Sequence, residues 1–291
     1  MWTHTSTPPL FEPDRRRFLA GAFASAALVA AHRFLAWGEP AGGAPSAARE
    51  HAGPRILALE LLTSAPLAAM KEFYGGALGL RVLEERDDRL TIGAGRTPIT
   101  FVAVGPGVAR PFYHFAFNIP ENKLLAARAW QLERSPLMPI PERLRDPAYP
   151  DDVVDFRHWN AHSIFFLDPG GNVVEYIARH DLRNAAPGPF GSEDILYASE
   201  IAFVVDDVPA TALTLRGVVG VEQYRGADDR FTAIGDARGL LLVVRRGRTL
   251  NFHPDDPSKA ARVFRTAATV RAARRSKHSV PGFPYEISLE G

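Results

Sequence analysis

The sequence contains no cysteine among its 291 residues. Disulfide bonds, a thiolate nucleophile and cysteine-ligated metals are therefore excluded. The formal net charge is only +1, and no basic stripe dominates any expected face, which argues against nucleic acid as a partner. One locally basic run, residues 265–277, is interpreted as an exposed surface segment rather than as a polyanion site.

The apolar run near the N-terminus is short for a membrane span. Leu19–Ala31 has 13 residues, whereas a spanning helix takes about 20. Arg15, Arg16 and Arg17 precede it, and paired arginine followed by Phe-Leu resembles a twin-arginine signal. Residues 1–47 are therefore interpreted as a signal and linker of a periplasmic or extracellular protein that meets the membrane only through this segment. The alternative is an uncleaved anchor.

The rest of the chain predicts a repeated unit of strand, helix and three strands. Module one begins at Arg55 with "RILALELLT", and its helix carries Met70 and Tyr74 at helical spacing. Module two begins with "PFYHFAFNIP" and ends with "HSIFFLDPGG" and "NVVEYIAR", after a long loop at 136–152. Module three begins with "YASEIAFVVDDV" and ends with "GLLLVVRRG". Repeats of this size must pair to bury their apolar faces.

The repeat is visible in the residue identities as well as in the predicted order of strands and helices. "DDRLTIGAGR", from Asp87, matches "DDRFTAIGDAR", from Asp228, and Glu60 of the first opening strand corresponds to Glu200 of the third. We predict an α+β fold in which the modules form a curved, open-sided mixed sheet with the helices outside. The expected organisation is a pair of modules one and two over 48–183, followed by a third half module with a C-terminal tail over 184–291.

Polar residues fall on one face of three predicted strands. Side chains alternate along a strand, so His114 lies opposite the uniformly bulky face of Phe115 and Phe117. Glu60 and Glu175 also interrupt otherwise apolar strands. Because an unpaired carboxylate in an apolar sheet is costly, a divalent cation held by Glu60, His114 and Glu175 would explain all three. Pairing of each Glu with an arginine, or exposure near the strand ends, remains open.

The modules resemble those of the vicinal oxygen chelate superfamily, which includes glyoxalases, bleomycin- and fosfomycin-resistance proteins and extradiol dioxygenases. The resemblance is carried by "EFYGGALGLRV" (72–82), "YHFAFNIP" (113–120) and "FFLDPGGNVVEY" (165–176). It covers 55–180 well and 195–247 more weakly. The resemblance implies one divalent metal (Mn, Zn, Ni or Fe) on the opening-strand positions Glu60 and His114 and the last-strand position Glu175.

The resemblance also implies a small-molecule substrate, and a match to the fosfomycin enzymes would place Phe165 on the substrate side. We expect Ser163 and Phe101 to bind substrate as well. One imidazole with two carboxylates departs from the two-His, one-carboxylate Fe(II) pattern of ring-cleaving dioxygenases. His162 is an alternative imidazole, although the strand alternation is against it. In the last strand of module one, Thr100 is the single candidate metal ligand. Module three is interpreted as structural or dimer-forming, and a homodimer is one expected assembly.

Two main functions follow. The first is an exported metal-dependent enzyme, a lyase, isomerase or dioxygenase, in which Glu60 also shuttles a proton. The second is a non-catalytic binding or resistance protein that sequesters a small molecule. A purely structural role in an oligomer is a third alternative.

Overall fold

The computed structural model describes residues 55–105, 107, 109–250, 252–253 and 256–291. The expected signal and linker at 1–47 lie outside the described residues. None of the helices in the described part is long and apolar enough to cross a membrane.

Module one has the predicted order of elements. Its helix, α1, begins after Pro66 and continues as a wider π-helical turn, and it turns Met70 and Tyr74 into the core as the spacing predicts. The elements are β1 (Ile56–Thr63), α1 (Leu67–Lys71) with its π turn (Glu72–Ala77), β2 (Arg81–Glu85), β3 (Arg89–Ala94) and β4 (Thr97–Ala103).

Module two contains the Asp-Pro-Gly-Gly-Asn turn. The Asp168 carboxylate accepts hydrogen bonds from the backbone and side-chain amides of Asn172 at 2.9 and 2.7 Å, and Gly171 has φ +79°, a conformation that favours glycine. The turn thus sets the pairing of the two strands that flank it. The elements are β5 (His114–Ile119), α2 (Leu124–Leu132), β6 (Val154–Phe156), β7 (Ala161–Leu167) and β8 (Val173–Arg179).

Module three repeats the order, and the remaining segment adds three strands. Its helix begins where Asp207 accepts a hydrogen bond from the backbone amide of Ala210 at 2.9 Å, and it ends at Gly220 with φ +70°. The elements are β9 (Tyr197–Val205), α3 (Val208–Val219), β10 (Gln223–Ala227), β11 (Phe231–Asp236), β12 (Gly239–Arg245), β13 (Thr266–Arg271), β14 (Ser276–Ser279) and β15 (Tyr285–Glu290).

The strands form two mixed sheets. The seven-stranded sheet has the order β14-β15-β13-β1-β4-β3-β2, and the eight-stranded sheet has the order β10-β11-β12-β9-β5-β8-β7-β6. In each sheet the opening strand of a module pairs antiparallel with a strand from another part of the chain. β5 of module two pairs with β9 of module three, and β1 of module one pairs with β13 of the C-terminal segment. The predicted α+β class, with repeated modules and curved mixed sheets, is confirmed.

The modules pair differently from the expected arrangement. Module two shares its sheet with module three, whereas module one shares its sheet with the C-terminal strands β13–β15. The segment "FPYEISLEG" therefore extends the sheet of module one and not that of module three. Alternation along a strand predicts which of its faces is apolar. It does not predict which other strand pairs with each of its edges.

The helices lie on the side of the sheets that faces the main core. Buried residues of α1, α2 and α3, such as Met70, Ala127 and Leu215, pack with Phe117 and Ile201 in that core. A second apolar cluster, which includes Phe165, Leu240 and Leu242, covers the opposite face of the eight-stranded sheet. That opposite face carries the candidate site.

Candidate metal centre and its cavity

Three neighbouring strands of the eight-stranded sheet place one imidazole and two carboxylates on the same face. Ala116 of β5 lies opposite Glu175 of β8 on one side and Glu200 of β9 on the other. His114 lies two residues before Ala116 and therefore shares its face. The small Ala116 side chain separates the two Glu residues across the middle strand.

The donor atoms of these three residues are close together. One ligand atom of each lies within 4.8 Å of the others. His114 Nε2 is 3.4 Å from Glu175 Oε2 and 3.9 Å from Glu200 Oε2. We call His114, Glu175 and Glu200 the acidic triad.

The imidazole of His114 is held in one tautomer. Its Nδ1 lies 3.0 Å from the carbonyl oxygen of Val173, and because a carbonyl only accepts, Nδ1 carries the proton and donates. Nε2 then presents its lone pair to the two carboxylates. Burial lowers the pKa of His114 to about 4, with the Val173 bond acting against this shift, so the ring is neutral near pH 7.

Both carboxyl groups are almost fully buried, with 1% of each residue exposed. Burial raises the pKa of Glu175 well above its usual range, and the charge of Glu200 raises it further. Burial also raises the pKa of Glu200, although the Arg179 guanidinium partly offsets this effect. Two adjacent carboxylates can both ionise here only if a further positive charge neutralises them.

Arg179 orients Glu200. Its Nη2 donates to Glu200 Oε1, and both side chains are buried. Glu200 Oε2 is thereby left facing His114. On the other side, Glu175 Oε1 forms no hydrogen bond with any residue that the structure describes. The buried Ser163 hydroxyl lies close enough to lower the pKa of Glu175 but also lacks a hydrogen bond of normal length among these residues.

The acidic triad fits a divalent cation. Two ligands that bind an ion at about 2.1 Å with near-tetrahedral or octahedral angles lie about 3.0–3.4 Å apart. The 3.4 Å separation of His114 and Glu175 meets this condition, whereas the 3.9 Å separation of His114 and Glu200 is longer and all three donors lie within 4.8 Å of one another, so the side chains would move closer on binding. The orphaned Glu175 oxygen would gain a partner, and the fixed His114 tautomer is the one a ligand needs. Three protein ligands would leave coordination positions open.

The acidic triad lines a cavity of about 510 Å³. That volume is in the range of small-molecule sites. Part of its edge comes from the loop between α2 and β6, which is attached at 2.7 Å through the Met138 amide and the Phe165 carbonyl oxygen. Its apolar wall residues are Leu144, Phe156, Trp159, Phe165, Phe231, Leu242, Val244, Leu250 and Phe252.

Glu60, the predicted third ligand and proton shuttle, is not part of the acidic triad. It lies in the seven-stranded sheet, where its Oε1 accepts a hydrogen bond from Arg265 Nη1 at 2.6 Å and its Oε2 lies 3.9 Å from Arg89. The arginine pairing that the sequence left open is therefore the one observed. Thr100 is opposite Glu60 on β4 and bonds Thr91 at 2.9 Å.

The three residues predicted to lie on the substrate side are in three different environments. Phe165 lines the cavity, 5.9 Å between ring centroids from His114. Ser163 is fully buried beside Glu175, behind the cavity surface. Phe101 is in the main core of the protein, stacked on Tyr74 at 5.2 Å, and so cannot be a wall residue.

Glu200 is the member of the acidic triad that the sequence interpretation does not include. The sequence interpretation gives module three a structural or dimer-forming role, whereas its opening strand β9 supplies Glu200 to the triad. The signal was nevertheless present, because Glu200 repeats Glu60. His162, the alternative imidazole, instead contacts His180 at 2.9 Å and Asp146 at 3.3 Å, as the alternation predicts for a residue facing away from the triad.

No protein-family model matches the chain, and no curated protein matches it. Several solved structures match the chain. A Bacillus subtilis "putative dioxygenase" aligns with a TM-score of 0.51 at 15% identity, covering 82% of this chain and 86% of its own. Glyoxalase I from Zea mays aligns with a TM-score of 0.45 at 14% identity, covering 81% and 92%. A glyoxalase/bleomycin resistance protein/dioxygenase from Alicyclobacillus acidocaldarius covers 45% of this chain and 96% of its own, at 17% identity and a TM-score of 0.34.

The Bacillus subtilis structure supports the fold expected from the motifs. At 15% identity this likeness shows the fold alone, so the chemistry of the chain must be argued from the site.

Proposed function

We propose that this protein is an exported, metal-dependent enzyme of the vicinal oxygen chelate type that acts on a small oxygenated substrate. The observation that carries the proposal is the acidic triad on the wall of a cavity of about 510 Å³. His114, Glu175 and Glu200 would hold one divalent cation, whose identity among Mn, Zn, Ni and Fe is open. A bound cation would supply Lewis-acid polarisation of substrate oxygens.

The residues around the triad have distinct roles in this proposal. The Val173 carbonyl keeps the His114 lone pair directed at the cavity, and Arg179 keeps one oxygen of Glu200 away from it. The aromatic walls, Phe165 among them, would exclude water from the reacting atoms and hold an apolar substrate body. Lyase, isomerase and dioxygenase chemistry all remain compatible with this arrangement.

The test is elemental analysis of untagged protein beside the Glu175→Gln variant. About one equivalent of a divalent transition metal in the wild type, lost in the variant, supports the proposal. Gln has nearly the same shape as Glu, so an accompanying loss of fold is not expected, and circular dichroism would check it. A wild type that stays metal-free after exposure to Mn(II), Fe(II), Ni(II) and Zn(II) would contradict it.

A second candidate is a metal-free protein that sequesters a small molecule. The raised pKa of Glu175 favours it, because a proton on that carboxyl would also relieve the buried charge. Ligand binding that is unchanged by a chelator, in a protein that purifies without metal, would select this function.

Export through the twin-arginine route belongs to the same proposal and rests on the sequence of residues 1–47. Fusion of this segment to a folded reporter is expected to carry the reporter out of the cytoplasm. Replacement of Arg15, Arg16 and Arg17 by Lys should stop it, with total reporter level as the control. Unchanged export in the Lys variant would contradict this route.

A further inference from the structure

Arginine side chains surround the cavity. Five of them line it: Arg143, Arg145, Arg157, Arg225 and Arg248. They place positive charges at the cavity in addition to the acidic triad, and the contribution of each depends on its partners. The five differ in whether another group already engages them.

Four of these guanidinium groups have partners. Arg143 donates to the Phe252 carbonyl at 3.0 Å, and Arg145 donates to the Ile140 carbonyl at 2.8 Å. Two others form ion pairs with carboxylates: Arg157 with Asp155 at 2.9 Å and Arg225 with Asp181 at 2.7 Å.

Arg248 has no such partner. Its side chain forms no hydrogen bond or ion pair with any residue in the described part of the chain, and its guanidinium lies 4.8 Å from the ring centroid of Phe231. The backbone on which it stands is fixed, because its amide donates to the Arg245 carbonyl and its carbonyl accepts from the Ala261 amide. Burial lowers the pKa of Arg248, and the charge of Asp228 acts against this shift. Arginine side chains are in general charged near pH 7.

Arg248 and the acidic triad line the same cavity. The charge of Arg248 is among the causes that lower the pKa of His114, after burial. The charge of Asp228 acts on Arg248, but no described carboxylate lies within ion-pair distance of it. A partly buried guanidinium in that position loses hydration without gaining a direct bond. An anionic group in the cavity would repay that cost, and the planar fork of arginine matches carboxylate or phosphate oxygens in a bidentate manner.

We propose that Arg248 determines substrate specificity by binding an anionic group, a carboxylate or phosphate, carried on an apolar body that fills the aromatic-walled cavity. The oxygens presented to the triad would lie at the other end of the same molecule. This inference rests on the proposed function, because only an active site has a substrate to select. The binding of an anion by Arg248 does not itself require a metal.

Binding of three matched probes tests the proposal. The probes are 2-naphthoate, 2-naphthyl phosphate and neutral 2-naphthol, titrated by calorimetry into the protein as purified and after chelator treatment. We expect at least one anionic probe to bind more tightly than 2-naphthol. The two anions distinguish a carboxylate from a phosphate substrate.

Variants then assign the effect to one side chain. Arg248→Met should weaken the favoured anion by about 10-fold or more, as expected for a charge-assisted bond, and should change 2-naphthol binding by less than about threefold. Arg248→Lys should restore part of the loss. Arg225→Met is the matched control, because its guanidinium is already paired with Asp181, and it should weaken the anion by less than about threefold.

Equal binding of the anions and 2-naphthol, or an equal loss in Arg225→Met, would overturn the inference. So would loss of metal in Arg248→Met, since that would make Arg248 a support of the triad. If the anion binds through Arg248 in a protein that never takes up metal, the subsite stands and the metalloenzyme proposal fails. If metal is present and the anion shows no dependence on Arg248, the reverse holds.

Discussion

Arg265 Nη1 donates to Glu60 Oε1 at 2.6 Å, and Glu60, one of the three ligands predicted from the sequence, lies outside the acidic triad. Its repeat counterpart, Glu200, is also held by an arginine, but keeps its second oxygen 3.9 Å from His114 Nε2. Equivalent positions in two modules thus have different surroundings, because their strands belong to different sheets.

The first prediction compares these two equivalent residues. Glu200→Gln should reduce bound metal to below about 0.2 equivalents, because an amide oxygen is a weaker ligand than a carboxylate. Glu60→Gln should leave the metal content at the wild-type level, since Glu60 contacts Arg265 and not the triad. Elemental analysis of both variants is the measurement. Loss of metal in Glu60→Gln alone would restore the sequence-based ligand set.

The second prediction concerns the buried ion pair between Arg179 and Glu200. In metal-free protein, Arg179→Met should lower the free energy of unfolding by about 3–5 kcal/mol, because it leaves a buried carboxylate without its partner. The double variant Arg179→Met/Glu200→Leu removes that charge and should be more stable than the single variant. Urea unfolding measures both. A double variant that is no more stable than Arg179→Met would contradict this expectation.

The third prediction concerns a close backbone contact between modules one and three. Gly95 has φ +54°, and a Cβ atom there would lie 2.1 Å from the Leu196 carbonyl oxygen, next to the hydrogen bond from the Arg96 amide to that oxygen. Gly95→Ala should therefore cost at least about 1–3 kcal/mol of unfolding free energy.

The control for Gly95 is Gly217, inside α3. No atom lies within 4 Å of a Cβ placed there, and its φ is ordinary for a helix. Gly217→Ala should stabilise the protein by about 0.5–1 kcal/mol through lower unfolded-state entropy. Thermal unfolding of the two variants is the measurement, and similar Tm values for both would contradict the contact.

The fourth prediction is a pH dependence of stability at the Arg55–Asp236 ion pair, whose atoms are 2.5 Å apart. Burial would raise the pKa of Asp236, but the hydrogen bond from Arg55 and that from the Arg238 amide outweigh it, so the net pKa lies below the ordinary value of 3.8. A carboxyl with a lowered folded-state pKa contributes stability above its unfolded-state pKa and loses it as the pH falls through the folded-state value.

The free energy of unfolding of Asp236→Asn should accordingly be lower than that of the wild type at pH 6, by less than about 1 kcal/mol because the pair is partly exposed. The difference should shrink as the pH falls below 3.8. Urea unfolding at several pH values measures it. A difference that is constant from pH 6 to pH 3 would contradict an electrostatic origin.

Much of the fold follows from local patterns in the sequence. The alternation in "FYHFAFNI" is enough to put Phe115 and Phe117 in the core and His114 on the opposite face, and the structure places them there. The helical spacing of Met70 and Tyr74 and the turn at Asp168–Asn172 are equally local. Such features depend on residues a few positions away in the sequence, so the amino-acid sequence alone determines them.

The membership of the acidic triad depends on longer distances. His114 and Glu175 belong to one module, but the third side chain is supplied by whichever strand pairs with the free edge of β5. That strand is β9, which brings Glu200, whereas β1 pairs with β13 and brings Glu60 to Arg265. Two modules with the same pattern present similar edges, and only the packing of the complete chain, including β13–β15, selects between them.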